Sequence, residues 1–323
     1  MVDVSNARPI GILVGYLLTC AALTARCLHL LYRRSKVSPR KDASHRRNAI
    51  LVFSALAAVS LATTWYHMFC FFQWSYQQWT LSAPAGLDAD KLHLGEWLRD
   101  TTLFKQAWVS TLEKPPRAWW SLQIFGFCAS WSIMLAAQSK KGRIPHLWIF
   151  MLLGQIVAIS FAASLSFLAF TVFDEGSSSG SKESANKSKP ESRTEQDSWL
   201  PLSWLAILAI NLGCAIAIPN NLDHPKFMFL LLVPHVLAFV PLLVNCVFAT
   251  PAPSLLSQQP PLVAQAATMA ILLGTAITGL TRDGGSWEDI KITLYEHPAV
   301  SSVGWGVICC WTSFIAWHIL GRA

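Results

Sequence analysis

Residues 144–172 read IPHLWIFMLLGQIVAISFAASLSFLAFTV, a stretch without any Asp, Glu, Lys or Arg. A helix that crosses a bilayer needs about 20 predominantly apolar residues, so this stretch predicts a membrane-spanning helix. Other long apolar stretches occur on both sides of it. The eight predicted spans are 9–32, 49–76, 119–138, 144–172, 199–218, 227–249, 262–280 and 299–320.

The composition of the whole chain agrees with this pattern. Of the 323 residues, 53% are hydrophobic and 13% are charged, whereas a soluble globular domain carries about 25% charged residues. The prediction is an all-α integral membrane bundle of about eight transmembrane helices, forming a single multi-pass domain over 1–323. The net charge of +7 is concentrated in one loop beside an apolar block, which favours membrane topology over a nucleic-acid partner.

The basic residues predict which loops face the cytosol. With eight spans, the alternate loops 33–48, 139–143, 219–226 and 281–298 hold 13 Lys and Arg, against 11 in the segments on the opposite side. The first of these loops holds 7 of the 13, and short basic loops near the first span dominate insertion. We therefore expect these four loops in the cytosol and both termini in the lumen of the endoplasmic reticulum.

The outer loop 174–198 is rich in Ser and in charged residues. Such a segment buries too little apolar surface to fold, so the loop is predicted to be disordered. It contains the triplet Asn186-Lys187-Ser188, an N-glycosylation sequon. If the loop is lumenal, the protein is expected to be a glycoprotein.

Several motifs that bind cofactors are absent from the sequence. The chain has no GxxxxGK[ST] or GxGxxG motif for a nucleotide phosphate and no NDxxD motif for magnesium diphosphate. The 8 cysteines show no CxxC spacing and all fall inside apolar blocks, as expected for small core side chains. The sequence therefore predicts neither a metal site nor a bound cofactor.

The segment 92–112 carries apolar residues at helical spacing and ends before a Pro-Pro pair, which predicts an outer interfacial amphipathic helix. His93, Glu96 and Asp100 are three and four residues apart, so they share one side at the edge of the apolar stripe. Burial in an apolar cavity raises the pKa of a carboxyl group, and a general acid must hold its proton near neutral pH. An ordinary amphipathic helix with solvated charges explains the same pattern.

Aromatic residues form a stripe on one face of the second predicted span. Their spacing is 4, 3, 4 and 3 residues, at Trp65, Phe69, Phe72, Tyr76 and Trp79. Stacked π faces stabilise a carbocation by cation–π attraction worth roughly 0.5–2 kcal/mol each. An aromatic belt at the membrane interface, or plain packing, explains the stripe equally well.

Five polar residues lie within the apolar blocks: Gln123, Gln155, Asn211, His235 and Asn245. Each would be costly if it faced lipid, so each is expected to face the interior of the bundle. There they can orient a ligand. The alternative is that they form hydrogen bonds between helices.

Five segments of the chain resemble the fungal membrane-bound terpene cyclases of the AscI type, which act in ascochlorin and ascofuranone biosynthesis. The segments are WLRDTTLF at 97–104, WWSLQ at 119–123, IPHLW at 144–148, LGQIVAISFA at 153–162 and HPAVSSVGW at 297–305. The similarity covers most of the chain. It also implies an acid directly after the Gly304-Trp305 pair, where this chain has Gly306.

This resemblance implies a type II cyclase. Such an enzyme protonates an epoxide or a terminal alkene of a prenyl chain on a lipophilic head group, without diphosphate, magnesium or another cofactor. Asp100 is then expected to be the acid, and Glu96 to hold or resupply its proton. The expected substrate-binding residues are Trp65, Phe69, Phe72, Trp120, Gln123, Gln155, His235 and Trp305.

The partners implied are a prenylated small molecule and membrane lipid, and the sequence does not predict an oligomeric state. A competing prediction is a non-enzymatic lipid-binding or transport protein. The hydropathy and the aromatic content fit it equally well.

Overall fold

The computed structural model describes residues 7–37, 44–82, 92–140, 144–173, 202–247 and 262–320, and within these ranges the chain is all-helical. The predicted fold class is confirmed at this level. The helices are α1 (Ala7–Val37), α2 (Ser44–Ser82), α3 (Leu94–Asp100), α4 (Leu103–Ser110), α5 (Pro115–Lys140), α6 (Leu147–Ile156), α7 (Ile159–Phe173), α8 (Leu202–Ala217), α9 (Phe227–Leu237), α10 (Val240–Val247), α11 (Leu262–Arg282), α12 (Trp287–Glu296) and α13 (Pro298–Leu320). The predicted loop 174–198, with Asn186, lies outside the described residues.

Four described helical stretches are long and apolar enough to cross a membrane. They are Ala7–Ser35, Ser44–Ser82, Pro115–Ser139 and Pro298–Leu320. Shorter apolar stretches are Leu147–Ile156, Ile159–Phe173, Leu205–Asn221 and Phe227–Leu243. The seventh predicted span coincides with α11, which is not among the four. These helices are compatible with the membrane protein that the composition predicts.

The fourth predicted span, 144–172, is interrupted in its middle. α6 ends at Ile156, Val157 has φ −105° and ψ −71°, and α7 begins at Ile159. The run Ile156, Val157 and Ile159 is β-branched, and such side chains lower helix propensity because they restrict χ1 against the preceding turn. The interruption frees backbone carbonyls within an otherwise apolar layer.

The sixth predicted span, 227–249, is interrupted in the same way between α9 and α10. Pro241 has no N–H and cannot continue the ladder of α9, but proline is tolerated in the first turn of a new helix. The Ala238 carbonyl at this interruption accepts a hydrogen bond from the Ser132 hydroxyl at 2.7 Å. This bond ties α5 to the interruption.

The predicted interfacial helix at 92–112 is two short helices in the structure. α3 ends at Asp100, and Thr101 is extended, with φ −108° and ψ 143°. The Thr101 hydroxyl donates to the Trp97 carbonyl at 2.6 Å, since threonine side chains compete for the carbonyls that end a helix. The residues before and after Thr101 therefore do not share one continuous helical face.

Helix α7 lies at the centre of the larger core cluster, and small side chains allow it this position. Ala162, Ala163, Ser164 and Ala169 are fully buried, and small residues let neighbouring backbones approach closely. Gly154 of α6 likewise allows a close approach, because a Cβ there would lie 2.6 Å from the buried Trp131 ring.

Helix α13 packs against α2, α5 and α7. The Ser313 and Ser164 hydroxyls are 2.8 Å apart, and the Trp317 ring stacks on Phe167 with centroids 5.3 Å apart. Hydrogen bonds and close ring contacts carry helix association where both faces are apolar. These contacts hold the second half of α13 against α7.

An ion cluster fastens α12 to the start of α5. The Arg117 guanidinium is buried, at 7% exposure, and donates to both carboxylate oxygens of Glu296. It also contacts the Glu113 carboxylate and the Ser110 carbonyl. The hydrogen bond from Arg117 lowers the pKa of Glu296 to about 2.

Replacing Glu296 by Gln is expected to lower the free energy of unfolding by roughly 1–3 kcal/mol, because Arg117 stays buried and charged after losing its best partner. Titration with sodium dodecyl sulfate in mixed micelles measures this change. Glu288→Gln is the matched control, since Glu288 pairs with Lys291 on an exposed helix face. Equal losses in the two variants would contradict the buried clamp.

Candidate functional site

A cavity of about 260 Å³ lies where α1, α2, α4, α5, α9 and α13 meet the interruption between α6 and α7. Its wall is mostly apolar. The lining residues are Tyr16, Thr64, His67, Met68, Phe71, Phe104, Ala107, Trp108, Thr111, Ile124, Gly154, Gln155, Ile156, Val157, Ala158, Ile159, Ser160, His235, Ala299, Ser302, Val303 and Gly306. A concave apolar cavity with few polar groups is the usual form of a small-molecule site.

The interrupted helix supplies polar atoms to this wall. The Gln155 amide nitrogen donates to the sulfur atoms of Cys128 and Met151, at 3.2 and 3.4 Å. The Gln155 Oε1 and Ser160 Oγ atoms are buried and have no hydrogen-bond partner among the described residues. A buried polar atom without a partner costs free energy, so both atoms are suited to bind a polar group of a ligand.

Tyr16 brings a phenolic hydroxyl to the same place from α1. Its O–H donates to the Ile156 carbonyl at 3.0 Å and lies 3.8 Å from the Met68 sulfur. The Ile156 carbonyl is available because α6 ends at this residue. The hydroxyl is therefore oriented at the cavity wall by a backbone atom.

His235 contributes an imidazole to the wall. Its Nδ1 lies 2.7 Å from the Leu231 carbonyl, a contact that requires Nδ1 to carry a proton. Nε2 of the neutral ring is then a hydrogen-bond and proton acceptor. The ring stands edge-on to Trp108 and Phe125, with centroids 5.9 and 6.3 Å away, so the surrounding aromatics fix its orientation.

Besides Tyr16, three aromatic side chains line the described cavity: Phe71, Phe104 and Trp108. Trp108 stacks on Phe125 at 5.7 Å and contacts Phe104 edge-on at 6.5 Å. Phe71 stacks on Trp74 at 5.9 Å. These π faces can attract a cation held in the cavity.

His297 supports the wall from behind. It is buried and stands edge-on to Trp74 at 4.3 Å, while its Nδ1 accepts the Ala299 N–H at 3.2 Å. Burial lowers the pKa of His297 to about 4, so the ring is neutral near pH 7. This contact orders the first turn of α13, where Ala299 lines the cavity.

The predicted acid pair lies elsewhere. The Asp100 carboxylate is 42% exposed, accepts from Arg99 at 2.9 Å and from the Trp79 indole at 3.3 Å, and is not part of the described cavity wall. The hydrogen bond from Arg99 lowers the pKa of Asp100. That shift is opposite to the one expected of a protonated acid.

Glu96 is likewise absent from the wall that the described residues form. Its carboxylate is 31% exposed and lies 3.9 Å from the His93 ring. The structure thus brings Glu96 beside His93, as the spacing predicts, and neither residue is part of the described cavity wall.

The predicted aromatic stripe also turns away from the cavity. Trp65 contacts Phe69, which is 54% exposed. Phe72 packs edge-on against Trp97 at 6.2 Å. A different face of α2 lines the cavity, with Thr64, His67, Met68 and Phe71. Phe71 is therefore an aromatic residue of the wall that does not belong to the predicted stripe.

Of the predicted substrate-binding residues, Gln155 and His235 line the described cavity. Gln123 is instead a link between helices, accepting from the Trp311 indole at 2.8 Å and donating to the Trp119 carbonyl at 3.0 Å. The Trp120 indole donates to the Ile290 carbonyl at 3.3 Å. Trp305 is half-buried on α13 beside Gly306, which does line the cavity.

Sequence reasoning missed Tyr16, Trp108 and Ser160 as site residues. A signal for Ser160 was present, since it is a polar residue in the same apolar stretch as Gln155. Tyr16 carried no signal of its own, because a tyrosine in the first span is also typical of a membrane interface.

The groups of this wall that can exchange a proton are one phenol and two imidazoles, those of Tyr16, His67 and His235. The described part of the wall holds no carboxyl group. The arrangement can therefore bind an apolar molecule and shield a positive charge, and its phenol and imidazoles are groups that can donate or accept a proton. Comparison of the chain with protein-family models, with curated proteins and with solved structures found no match.

Proposed function

We propose that this chain is a membrane-bound terpene cyclase that isomerises a lipophilic, epoxidised prenyl compound in the cavity. The observation that carries the proposal is that aromatic faces, an oriented phenol and an oriented imidazole meet in one apolar cavity. A cyclase requires these three elements to start, shield and end a carbocation cascade. The resemblance of five segments to cyclases of the AscI type agrees with this function.

In the proposed reaction, the Tyr16 hydroxyl gives its proton to the epoxide oxygen as the C–O bond breaks. The oxygen becomes a hydroxyl group and the carbon becomes a tertiary cation, which an alkene of the same chain attacks. Phe71, Phe104 and Trp108 stabilise the cation. His235 Nε2 removes a proton from the final cation, and this proton returns to the Tyr16 phenolate, so the product is an isomer of the substrate.

Tyr16 replaces Asp100 as the proposed donor for a physical reason. The Asp100 carboxylate is ion-paired with Arg99, and its lowered pKa keeps it ionised near neutral pH. An ionised carboxylate has no proton to give. Tyr16 holds its proton at the cavity wall.

The topology belongs to the same proposal. We infer a multi-pass topology in the endoplasmic reticulum membrane in which α2 and α13 are antiparallel spans, because Phe53 contacts Trp317 at 6.1 Å and Phe71 contacts His297, just before α13, at 6.2 Å. The predicted single span 144–172 is corrected, because a Cβ at Gly154 would lie 3.4 Å from the Ala162 Cβ, so α6 and α7 fold back on each other.

The segment 92–112 then lies at the outer interface. Glu296 pairs with Arg117, so 281–298 and the segment that precedes α5 are expected on one side, and the start of α2 on the other, against the sequence prediction. Cysteine-accessibility mapping that places the start of α2 and 281–298 on one side would overturn this topology.

Microsomes that contain the full chain provide the test of function. An epoxyfarnesyl-phenol and related prenyl epoxides are incubated with them, and mass spectrometry follows the products. We expect a new product of unchanged mass that is absent from microsomes without the chain. Recovery of unchanged substrate across the panel would contradict the cyclase.

A lipid-binding or transport protein is the second candidate. It is favoured by the lack of a carboxyl group in the described part of the cavity wall, because such a protein needs no proton donor. Purified protein that retains the epoxide unchanged would support this second function.

A further inference from the structure

Two unpartnered oxygen atoms lie close together along the chain at the cavity wall. They are Gln155 Oε1, near the end of α6, and Ser160 Oγ, in the first turn of α7. Ser160 is 1% exposed, and neither atom has a hydrogen-bond partner among the described residues. An unpartnered buried polar atom costs free energy, and a ligand group that forms a hydrogen bond with it removes that cost.

The chemistry of the two atoms is complementary. Gln155 Oε1 can only accept a hydrogen bond, whereas the Ser160 hydroxyl can donate one. A group that both donates and accepts satisfies the pair, and a hydroxyl group is the smallest such group. An ether or an epoxide oxygen satisfies Ser160 alone.

Gly306 of α13 lies opposite Ser160. A Cβ at Gly306 would lie 3.8 Å from Ser160 Oγ and 3.9 Å from the Ile124 side chain, both ordinary contacts. Glycine is thus not required there by packing, but any side chain would occupy the space in front of the Ser160 hydroxyl.

From these contacts we infer that Gln155 and Ser160 form a subsite that binds a hydroxyl group of the ligand, and that Gly306 keeps this subsite open. The inference rests on the proposed function, since it assigns a polar group of the same substrate to one end of the cavity. The ligand class is an apolar prenyl compound that carries an alcohol or phenol hydroxyl. Its apolar body would lie along Phe71, Phe104 and Trp108.

Three prenyl probes test the subsite in binding assays on the full chain in lipid nanodiscs. Farnesol carries a hydroxyl, farnesyl methyl ether carries an acceptor without a donor, and farnesene carries no oxygen. Displacement of tritiated farnesol measures relative affinity, with empty nanodiscs as the blank. We expect the wild-type chain to prefer farnesol about tenfold over the ether, the usual effect of one hydrogen bond.

Two variants test the contributions of Gln155 Oε1 and Ser160 Oγ separately. Gln155→Leu is expected to abolish the preference for farnesol over the ether. Ser160→Ala is expected to weaken both oxygenated probes and to leave farnesene unchanged. Because the Ser160 hydroxyl is unpartnered, Ser160→Ala should leave the melting temperature unchanged or raise it. A lower melting temperature with intact discrimination would show a structural role and overturn the inference.

Gly306→Ala is expected to reduce the affinity for farnesol toward that for farnesene. Gly274→Ala is its matched control. Gly274 is an exposed helical glycine, and an added Cβ would have no atom of the described residues within 4 Å. Both substitutions raise helix propensity by a similar amount. A difference in farnesol binding between the two variants therefore comes from the side chain added to the cavity wall. Equal binding by the two variants would contradict the role of Gly306.

The outcomes distinguish this inference from the proposed function. Equal affinity of the wild-type chain for all three probes overturns the hydroxyl subsite, even if prenyl epoxides are cyclised. Discrimination among the probes without cyclisation of any epoxide supports the subsite and contradicts the cyclase.

Discussion

Replacement of Tyr16 by Phe is expected to lower the turnover of a prenyl epoxide by about 10²–10⁴-fold, the range for loss of a general acid. Phenylalanine keeps the ring in the wall and removes only the hydroxyl that donates to the Ile156 carbonyl. Substrate affinity should therefore change little. Initial rates of isomer formation and binding of farnesol, measured on the same preparation, separate the two effects.

Two control variants sharpen the Tyr16 prediction. Tyr66→Phe removes an exposed phenol from α2 and should leave turnover unchanged. Asp100→Asn should also retain turnover, because its carboxylate is ion-paired outside the described cavity wall. If Asp100→Asn loses turnover and Tyr16→Phe does not, the proton donor is the carboxyl predicted from sequence.

Replacement of His235 by Gln is expected to lower turnover by a similar factor of about 10²–10⁴, because the amide cannot take a proton from the final cation. The binding of farnesol should be retained, since Gln preserves polarity and approximate size at the wall. Mass spectrometry of the isomeric product measures the loss of rate.

His318→Gln is the matched control for His235→Gln. The Nδ1 atom of His318 contacts the Phe314 carbonyl at 2.8 Å, the same local pattern that His235 makes with Leu231, but His318 is exposed. Loss of this pattern alone should leave turnover unchanged. Equal rates for both variants would show that His235 is not the base.

The candidate site was only partly predictable from sequence. Gln155 and His235 were expected to face the interior because polar groups in apolar spans are costly in lipid, and both line the cavity. Gln123 satisfied the same rule by a hydrogen bond to Trp311 on another helix. Burial of a polar group is a local expectation, whereas the choice between a ligand and a protein partner depends on which helix lies opposite.

The acid pair illustrates the same limit. Residue spacing places Glu96 and Asp100 on one side of a helix, and α3 has that geometry. Spacing does not show that Arg99 and Trp79 would bind the Asp100 carboxylate. The pKa of a carboxyl group depends on such partners, so its direction could not be read from the helical pattern.

The amino-acid sequence by itself determined the all-helical class and the long apolar helices, because hydropathy and helical length are properties of contiguous residues. Tertiary structure alone decided where α6 and α9 are interrupted, which face of α2 meets the cavity, and that Tyr16, Ser160, His235 and Gly306 share one wall. These residues are up to 290 positions apart in the chain. Their proximity depends on small side chains in α7 and on the packing of α13, which act only after the helices have assembled.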